Sequence, residues 1–297
     1  MDIARFFRIA SAALVTFAIV VVVAVGTTWL WGGRKMQRDV ALPALQPVAY
    51  RDDAGSLALG KYLYQSRGCM ECHGAAGEGK QVFDEANGFR VRAPDLTQAN
   101  PEIGRYRPED WDRAIRHGVA PSGRPLLIMP SEDYNRLSND DFAALVAYVR
   151  SLPPTPGGAR PGEITLPWFV RGLYGAGVIK DAAEKIDHSL PPAAAVPAAV
   201  TVQRGAYVAG MCMGCHGASL KGGNIPGAPP DWPPAANLHA DARAMQPYGN
   251  AASFVTMMRT GKRPDGSEVS RVMPFASFEH WNDTDLNALY LYLRGLK

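Results

Sequence analysis

All four cysteines of the chain lie in two copies of one short pattern. "GCMECHG" runs from Gly68 to Gly74 and "MCMGCHG" from Met211 to Gly217. Both read C-x-x-C-H, and the second copy begins 143 residues after the first. That pattern is the attachment signature of c-type haem. Two thiols a short loop apart add to the two vinyl groups on one edge of a porphyrin, and the imidazole that follows is held under the iron as its proximal ligand. Cys69, Cys72 and His73 are the candidates for one site; Cys212, Cys215 and His216 are the candidates for another. Other chemistries fit less well. A thioredoxin-like pair needs no following His and expects a βαβ setting. A four-cysteine zinc site expects its pairs about 15–20 residues apart. A disulfide inside each motif leaves the repeated His unexplained. The expectation is two covalently attached haem c groups.

A proximal His leaves the opposite face of the iron open. Met in that position gives a six-coordinate electron carrier of raised potential. Met129, in "LLIMPS", lies 56 residues after His73, and Met273, in "RVMPFA", lies 57 after His216. Pro follows each. Pro lacks an N–H and keeps the preceding residue extended, which suits a loop presenting a thioether. The expected iron ligands are therefore His73 with Met129 and His216 with Met273. The rivals for the sixth position are His117, which pairs with Thr260 in the second copy, and His239.

The repetition extends well beyond these motifs. "GKYLYQSRGCMECHG" pairs with "GAYVAGMCMGCHG" across a two-residue gap, and "LSNDDFAALVAYVRSL" pairs with "WNDTDLNALYLYLRGL". Helices are expected at 57–66 and 202–211, at 109–117 and 253–260, and at the end of each copy. In the last of these, Leu145, Tyr148, Val149 and Leu152 form one helical stripe, copied by Leu289, Tyr292, Leu293 and Leu296. Ser138 with Asp141, and Asn282 with Asp285, have the spacing of a capping box built with Asp.

The N-terminus reads differently. No charge occurs between Arg8 and Arg34, and 9–25 is almost wholly apolar. About 20 such residues span a bilayer, whereas the apolar part of a secretory signal is about 7–15 long. An uncleaved anchor is expected, with Trp29 and Trp31 at the membrane interface. The resulting division is an anchor at 1–33, a spacer at 34–55, a first domain at 56–152, a linker or strap at 153–200 and a second domain at 201–297.

The ends of the strap, "PPTPGGARPG" and "PPAAAVPAAV", have linker composition. Its middle, "LPWFVRGLYGAGVIKDAAEKI", is apolar enough to dock on the haem units, on a partner or on the membrane, and packing on its own domains is the simplest expectation. Residues 56–152 carry 12 basic and 13 acidic side chains. With so weak a field, electrostatic steering names no partner, and nothing points to nucleic acid.

Each unit resembles a class I cytochrome c domain, with C-x-x-C-H after an N-terminal helix, a Met-Pro loop late and a C-terminal helix packed across. The resemblance implies an all-α fold: two tandem cytochrome c domains behind a transmembrane helix. More narrowly, "IRHGVAPSGRPLLIMPSEDYNRLSNDDFAALVAYVRSLPP" and the "LPWFVRGLYGAG" strap are similar to the cytochrome subunits of membrane alcohol and sugar dehydrogenases. Those subunits usually carry three haem domains and a C-terminal anchor, while this chain has two C-x-x-C-H units and an N-terminal apolar segment. In such domains a Pro carbonyl usually orients the proximal His, which implies Pro94 for His73 and, on a looser match, Pro234 for His216. Haem attachment in such proteins takes place outside the bacterial inner membrane, which implies haem domains in the periplasm.

The resemblance implies a membrane-anchored carrier of single electrons and not an enzyme, with no small-molecule substrate. Its expected partners are a dehydrogenase or quinol-oxidising complex on one side and a terminal oxidase or small soluble cytochrome on the other. Two alternatives stand beside it. One is the dihaem subunit of a cbb3-type terminal oxidase. The other is a dihaem peroxidase, which needs a displaceable sixth ligand.

Overall fold

The computed structural model describes residues 3–45, 47–229 and 231–297. Helix α1 (Ile3–Met36) follows directly from the apolar run. Its most apolar 18-residue window has a mean hydropathy of 2.7, and none of it is covered by the rest of the chain. A helix of 34 residues is about 50 Å long, against about 30 Å of bilayer hydrocarbon. Its last turns therefore stand clear of any span.

The first unit opens with α2 (Ala54–Ser66), whose N-cap Asp53 accepts from the Ser56 backbone N–H. Gly68, at φ 82°, breaks that helix and starts α3 (Cys69–His73). Helices α4 (Pro108–His117), α5 (Ser131–Tyr134) and α6 (Asn139–Ser151) complete the unit. The strap carries α7 (Trp168–Gly175) and α8 (Ala182–Lys185). The second unit repeats the first as α9 (Val202–Val208), α10 (Met213–His216), α11 (Ala251–Thr260), α12 (Phe275–Phe278) and α13 (Asp283–Arg294).

In each unit the first and last helices cross at a glycine. A Cβ on Gly60 would collide with the Ala144 carbonyl and lie 2.6 Å from Tyr148 Cβ; one on Gly205 would meet the Ala288 carbonyl and Tyr292 Cβ in the same way. Of the expected stripes, Leu145, Val149 and Leu152 in one unit and Leu289 and Leu293 in the other are buried, while Tyr148, Tyr292 and Leu296 are half-buried; Leu63 and Phe142, and Val208 and Leu286, complete the two cores.

The fold is mostly helical rather than wholly so. Strands β1 (Gln81–Asp84) and β2 (Arg90–Arg92) form a hairpin in the first unit, and β3 (Glu163–Thr165) of the strap pairs antiparallel with β2. The hairpin turns at Asn87-Gly88, where Gly88 adopts φ 85° and Asn87 Oδ1 accepts from the Phe89 N–H. This Asn-Gly turn is a strong hairpin signal, but strands of three or four residues leave almost no periodicity to read. The second unit also departs from expectation. Its first helix becomes 3₁₀ over Ala209–Cys212, because two fewer residues separate Gly205 from Cys212 than separate Gly60 from Cys69.

The spacer lies along the first unit. The Val40 N–H donates to the Gly123 carbonyl at 2.9 Å, and Tyr50 Oη donates to the Tyr106 carbonyl at 2.8 Å. The strap ties the anchor to the same unit. Helix α7 packs on the end of α1, where Arg38 forms a two-pronged pair with Asp181 at 2.7 and 2.9 Å. Just beyond it, Lys185 of α8 reaches Glu132 of α5 at 2.6 Å.

The two units meet through matched contacts. Tyr62 of α2 donates to Asp285 of α13, and its repeat partner Tyr207 of α9 donates to Asp141 of α6, both at 2.6 Å. The caps form as expected, with Ser138 Oγ and Asn282 Oδ1 accepting from the N–H of Asp141 and Asp285. The two carboxylates, however, turn to the opposite unit instead of closing a capping box. Asp285 has no exposed surface and takes further bonds from Arg204 and Arg67. Burial works against its charge, but these donors hold it below the usual carboxylate range.

Candidate functional site

Each attachment motif is a short helix placed by glycines. In the first unit the Gly79 N–H donates to the His73 carbonyl at 2.9 Å, and in the second the Gly222 N–H donates to the His216 carbonyl at 2.9 Å. These glycines sit at φ 74° and 71° against the following strand of chain, where a Cβ on Gly79 would lie 2.7 Å from the Ala93 carbonyl. That close approach brings the next carbonyls under the histidines. His73 Nδ1 lies 3.0 Å from the Pro94 carbonyl, and His216 Nδ1 lies 2.7 Å from the Ala236 carbonyl. The second contact corrects the expectation of Pro234. The loop after Gly222 runs through Gly223 and Ala235, which pair as an isolated bridge, and this moves the carbonyl two residues on.

A carbonyl only accepts, so Nδ1 carries the proton in both rings and Nε2 keeps its lone pair. Burial lowers both histidine pKa values, against the opposing pull of the Pro94 and Ala236 carbonyls. Neutral imidazole with Nδ1–H held by an acceptor is the form that ligates a metal. Burial also pushes the Cys69 and Cys212 thiols up to about 12. Thiolate chemistry is thereby disfavoured.

The Met-Pro loops are built twice on one plan. Gly118 at φ 65° ends α4, and Gly261 at φ 69° ends α11. From each the chain folds back in a small loop, closed by Leu126 N–H to the Gly118 carbonyl at 2.7 Å and Val269 N–H to the Gly261 carbonyl at 2.8 Å. Met129 and Met273 follow, half-buried against the first and second cores. The carbonyl of each accepts from the residue after the proline, Ser131 or Phe275, at 2.9 Å. The rival histidines are engaged elsewhere. His117 Nδ1 lies 2.9 Å from His188 Nδ1 of the strap, and His239 Nε2 lies 2.8 Å from the Ser219 carbonyl. Among the described residues no three of His, Cys, Asp and Glu gather into a metal site, so the two cysteine pairs do not form a zinc centre.

The attachment loops face the join between the units. Ser277 of α12 donates to Glu71 within the first loop. Its repeat partner Asp133 of α5 lies against Gly214, the residue equivalent to Glu71, where a Cβ would come within 2.5 Å of Asp133 Oδ1. The helix following each Met thus seats on the attachment loop of the other unit.

The family model for cytochrome c matches residues 57–153 and again 202–297. The chain belongs to the cytochrome c family. Domains of this family carry covalently bound haem c, and the C-x-x-C-H motifs with their oriented histidines fit it. Among its relatives is the cytochrome c subunit of the quinone-linked alcohol dehydrogenase of Gluconobacter oxydans (strain 621H), 27% identical over 89% of this cytochrome and 60% of the relative. The cytochrome c subunit of gluconate 2-dehydrogenase from Pantoea cypripedii is 27% identical over 86% and 64%. A diheme cytochrome c-type protein of Cereibacter sphaeroides is 26% identical over 54% and 55%. The cytochrome spans about three fifths of the first two relatives' length.

The residues joining the units went unread in the sequence. A signal was present: Tyr62 and Tyr207 each stand two positions after the crossing glycine, and Asp141 and Asp285 each stand three after a cap. Polar groups repeated at such matched positions mark a shared contact.

Proposed function

We propose that this chain is a membrane-anchored dihaem electron carrier, with its haem units on the periplasmic side of a bacterial inner membrane. The observation that carries the reading is the doubled constellation: attachment cysteines, a proximal His with Nδ1 held by a carbonyl, and a Met-Pro loop, all built twice on one plan. Cys69, Cys72, His73 and Met129 would hold one haem c, and Cys212, Cys215, His216 and Met273 the other. Haem supplies one-electron chemistry, cycling between ferrous and ferric states.

The chain's own residues do the rest. The Pro94 and Ala236 carbonyls fix ring orientation and tautomer, and the low-dielectric cores limit reorganisation by water. With Met129 and Met273 as sixth ligands, the Met-Pro loops would leave no open position for a substrate, which favours a carrier over a peroxidase. Helices α5 and α12, each seated on the opposite attachment loop, keep the two haem-bearing edges together, which supports direct passage of an electron between units.

Two of the three named relatives are cytochrome subunits of dehydrogenases, which supports a membrane dehydrogenase as the electron donor; an oxidase or soluble cytochrome would be the acceptor. The test is isolation of the tagged chain from native membranes in mild detergent, with identification of stoichiometric partners. A quinoprotein or flavoprotein dehydrogenase is the expected partner. A copper-haem oxidase core would instead make this a cbb3-type subunit, and recovery of the chain alone would make it a tethered shuttle.

A further inference from the structure

The strap presents an apolar surface that the rest of the chain leaves uncovered. Trp168, Phe169, Leu173 and Val178 are all exposed, Trp168 at 65% and Val178 at 71%. Between Glu163 and Lys180 the sole charged side chain is Arg171. It turns inward onto the anchor: its guanidinium lies 3.9 Å from the centre of the Trp29 ring, and Nε donates to the Trp29 carbonyl at 3.2 Å. Phe169 and Leu173, one turn apart, share a face, with Trp168 beside them. Contiguous exposed apolar area of this kind marks an interaction surface.

Position identifies the occupant. Helix α7 crosses α1 between Thr28 and Gly33, where a Cβ on Gly175 would collide with the Thr28 carbonyl and one on Gly32 with the Arg171 carbonyl. The crossing falls in the last turns of the charge-free run of α1, at the level of Trp29 and Trp31. Tryptophan concentrates at the headgroup level of bilayers. Of the cations at this edge, Lys35 pairs with Glu184 and Arg38 with Asp181, while Arg34 and Lys180 are exposed, so the surface offers apolar insertion flanked by two cations at headgroup level.

We propose that α7 and the turn through Val178 form a second membrane contact, an interfacial helix lying in the outer face of the lipid bilayer beside the span. The inference rests on the anchor reading above. A lone span would leave the haem units free to swivel. A second contact removes that freedom, and the Lys185–Glu132 pair passes the constraint to α5. The first unit then presents one face to the membrane.

The test places p-benzoylphenylalanine singly at Trp168, Leu173 or Val178 in the full-length, haem-loaded chain. Each protein is reconstituted in phosphatidylcholine nanodiscs, irradiated and read by mass spectrometry. Val20, within the span, is the positive control; Leu291, exposed on α13, is the background. Lipid adducts at all three strap positions, with Leu291 bare, are expected. Lipid adducts at Val20 but none at the strap positions would overturn the second contact and leave the anchor standing. Their absence at Val20 would remove the anchor reading itself, and the inference with it. The same proteins irradiated in native membranes should again yield lipid adducts at the strap. Adducts to protein there would mean that a partner subunit covers α7, and the inference would be wrong.

Discussion

Tyr62 Oη donates to Asp285 Oδ2 at 2.6 Å across the join between the two haem units, and the same Asp285 faces both Arg67 and Arg204. Its repeat counterpart Asp141 accepts from Tyr207 and, among the described residues, hydrogen-bonds no arginine. The join is doubled in pattern and unequal in charge.

That inequality predicts unequal costs. Asp285→Ala leaves two buried guanidinium groups without a counter-charge, and breaking a buried pair in this way costs about 3–5 kcal/mol. Asp141→Ala removes one acceptor from a buried hydroxyl and costs about 1–3 kcal/mol. Chemical denaturation of the haem-loaded chain, followed at the Soret band, should rank Asp285→Ala well below Asp141→Ala. Equal losses would mean that the arginines do not depend on Asp285.

A pH dependence follows from the same carboxylate. Its folded pKa lies below the ordinary value near 3.9, so its stabilisation is fully present above that value. It is lost as pH falls through the lower folded pKa. The melting temperatures of wild type and Asp285→Asn should differ widely at neutral pH and close only as the pH falls below that ordinary value and through the lower folded pKa. A gap that persists in acid would show that the ionised carboxylate is not what holds the join.

The crossing glycines are the most sensitive positions in the cores. Gly60→Ala and Gly205→Ala each force a methyl group into an opposing backbone carbonyl, with an expected loss of about 1–3 kcal/mol or more. Gly249→Ala meets nothing within 4 Å and should be neutral. Denaturation curves check all three. A neutral Gly60→Ala would mean that α2 and α6 can separate at no cost.

The axial assignments are tested one haem at a time. Met129→His and Met273→His should each abolish the Met-ligation absorption band of one haem. Each should also lower one of the two potentials, within the roughly 0.8 V range that axial ligands govern. Spectroelectrochemical titration reads both effects. A variant with an unchanged spectrum would remove that Met from the ligand set.

Much of this was legible because it was local. The attachment motifs, the Met-Pro loops and the capped final helices are short patterns whose residue types carry their own chemistry. The Ala236 carbonyl was not, because its approach to His216 depends on how Gly222 and Gly223 steer a Gly- and Pro-rich stretch with no periodic pattern. The strap's attachment to the anchor was also hidden. Arg38 and Asp181 are far apart in sequence, and an arginine in a polar spacer resembles any solvated charge. The tyrosine–aspartate contacts were readable only by comparing the two halves for polar agreement.

Those contacts also say what kind of object the pair of haem units is. Tyr62 to Asp285 and Tyr207 to Asp141 is one contact made in both directions, which is the rule of a two-fold symmetric homodimer. One unit and an identical copy of itself already possess both halves of this handshake, before any linker joins them. Covalent fusion freed each side to change alone. Arg67 and Arg204 around Asp285 are one-sided in this way, an asymmetry that a symmetric dimer cannot keep to itself.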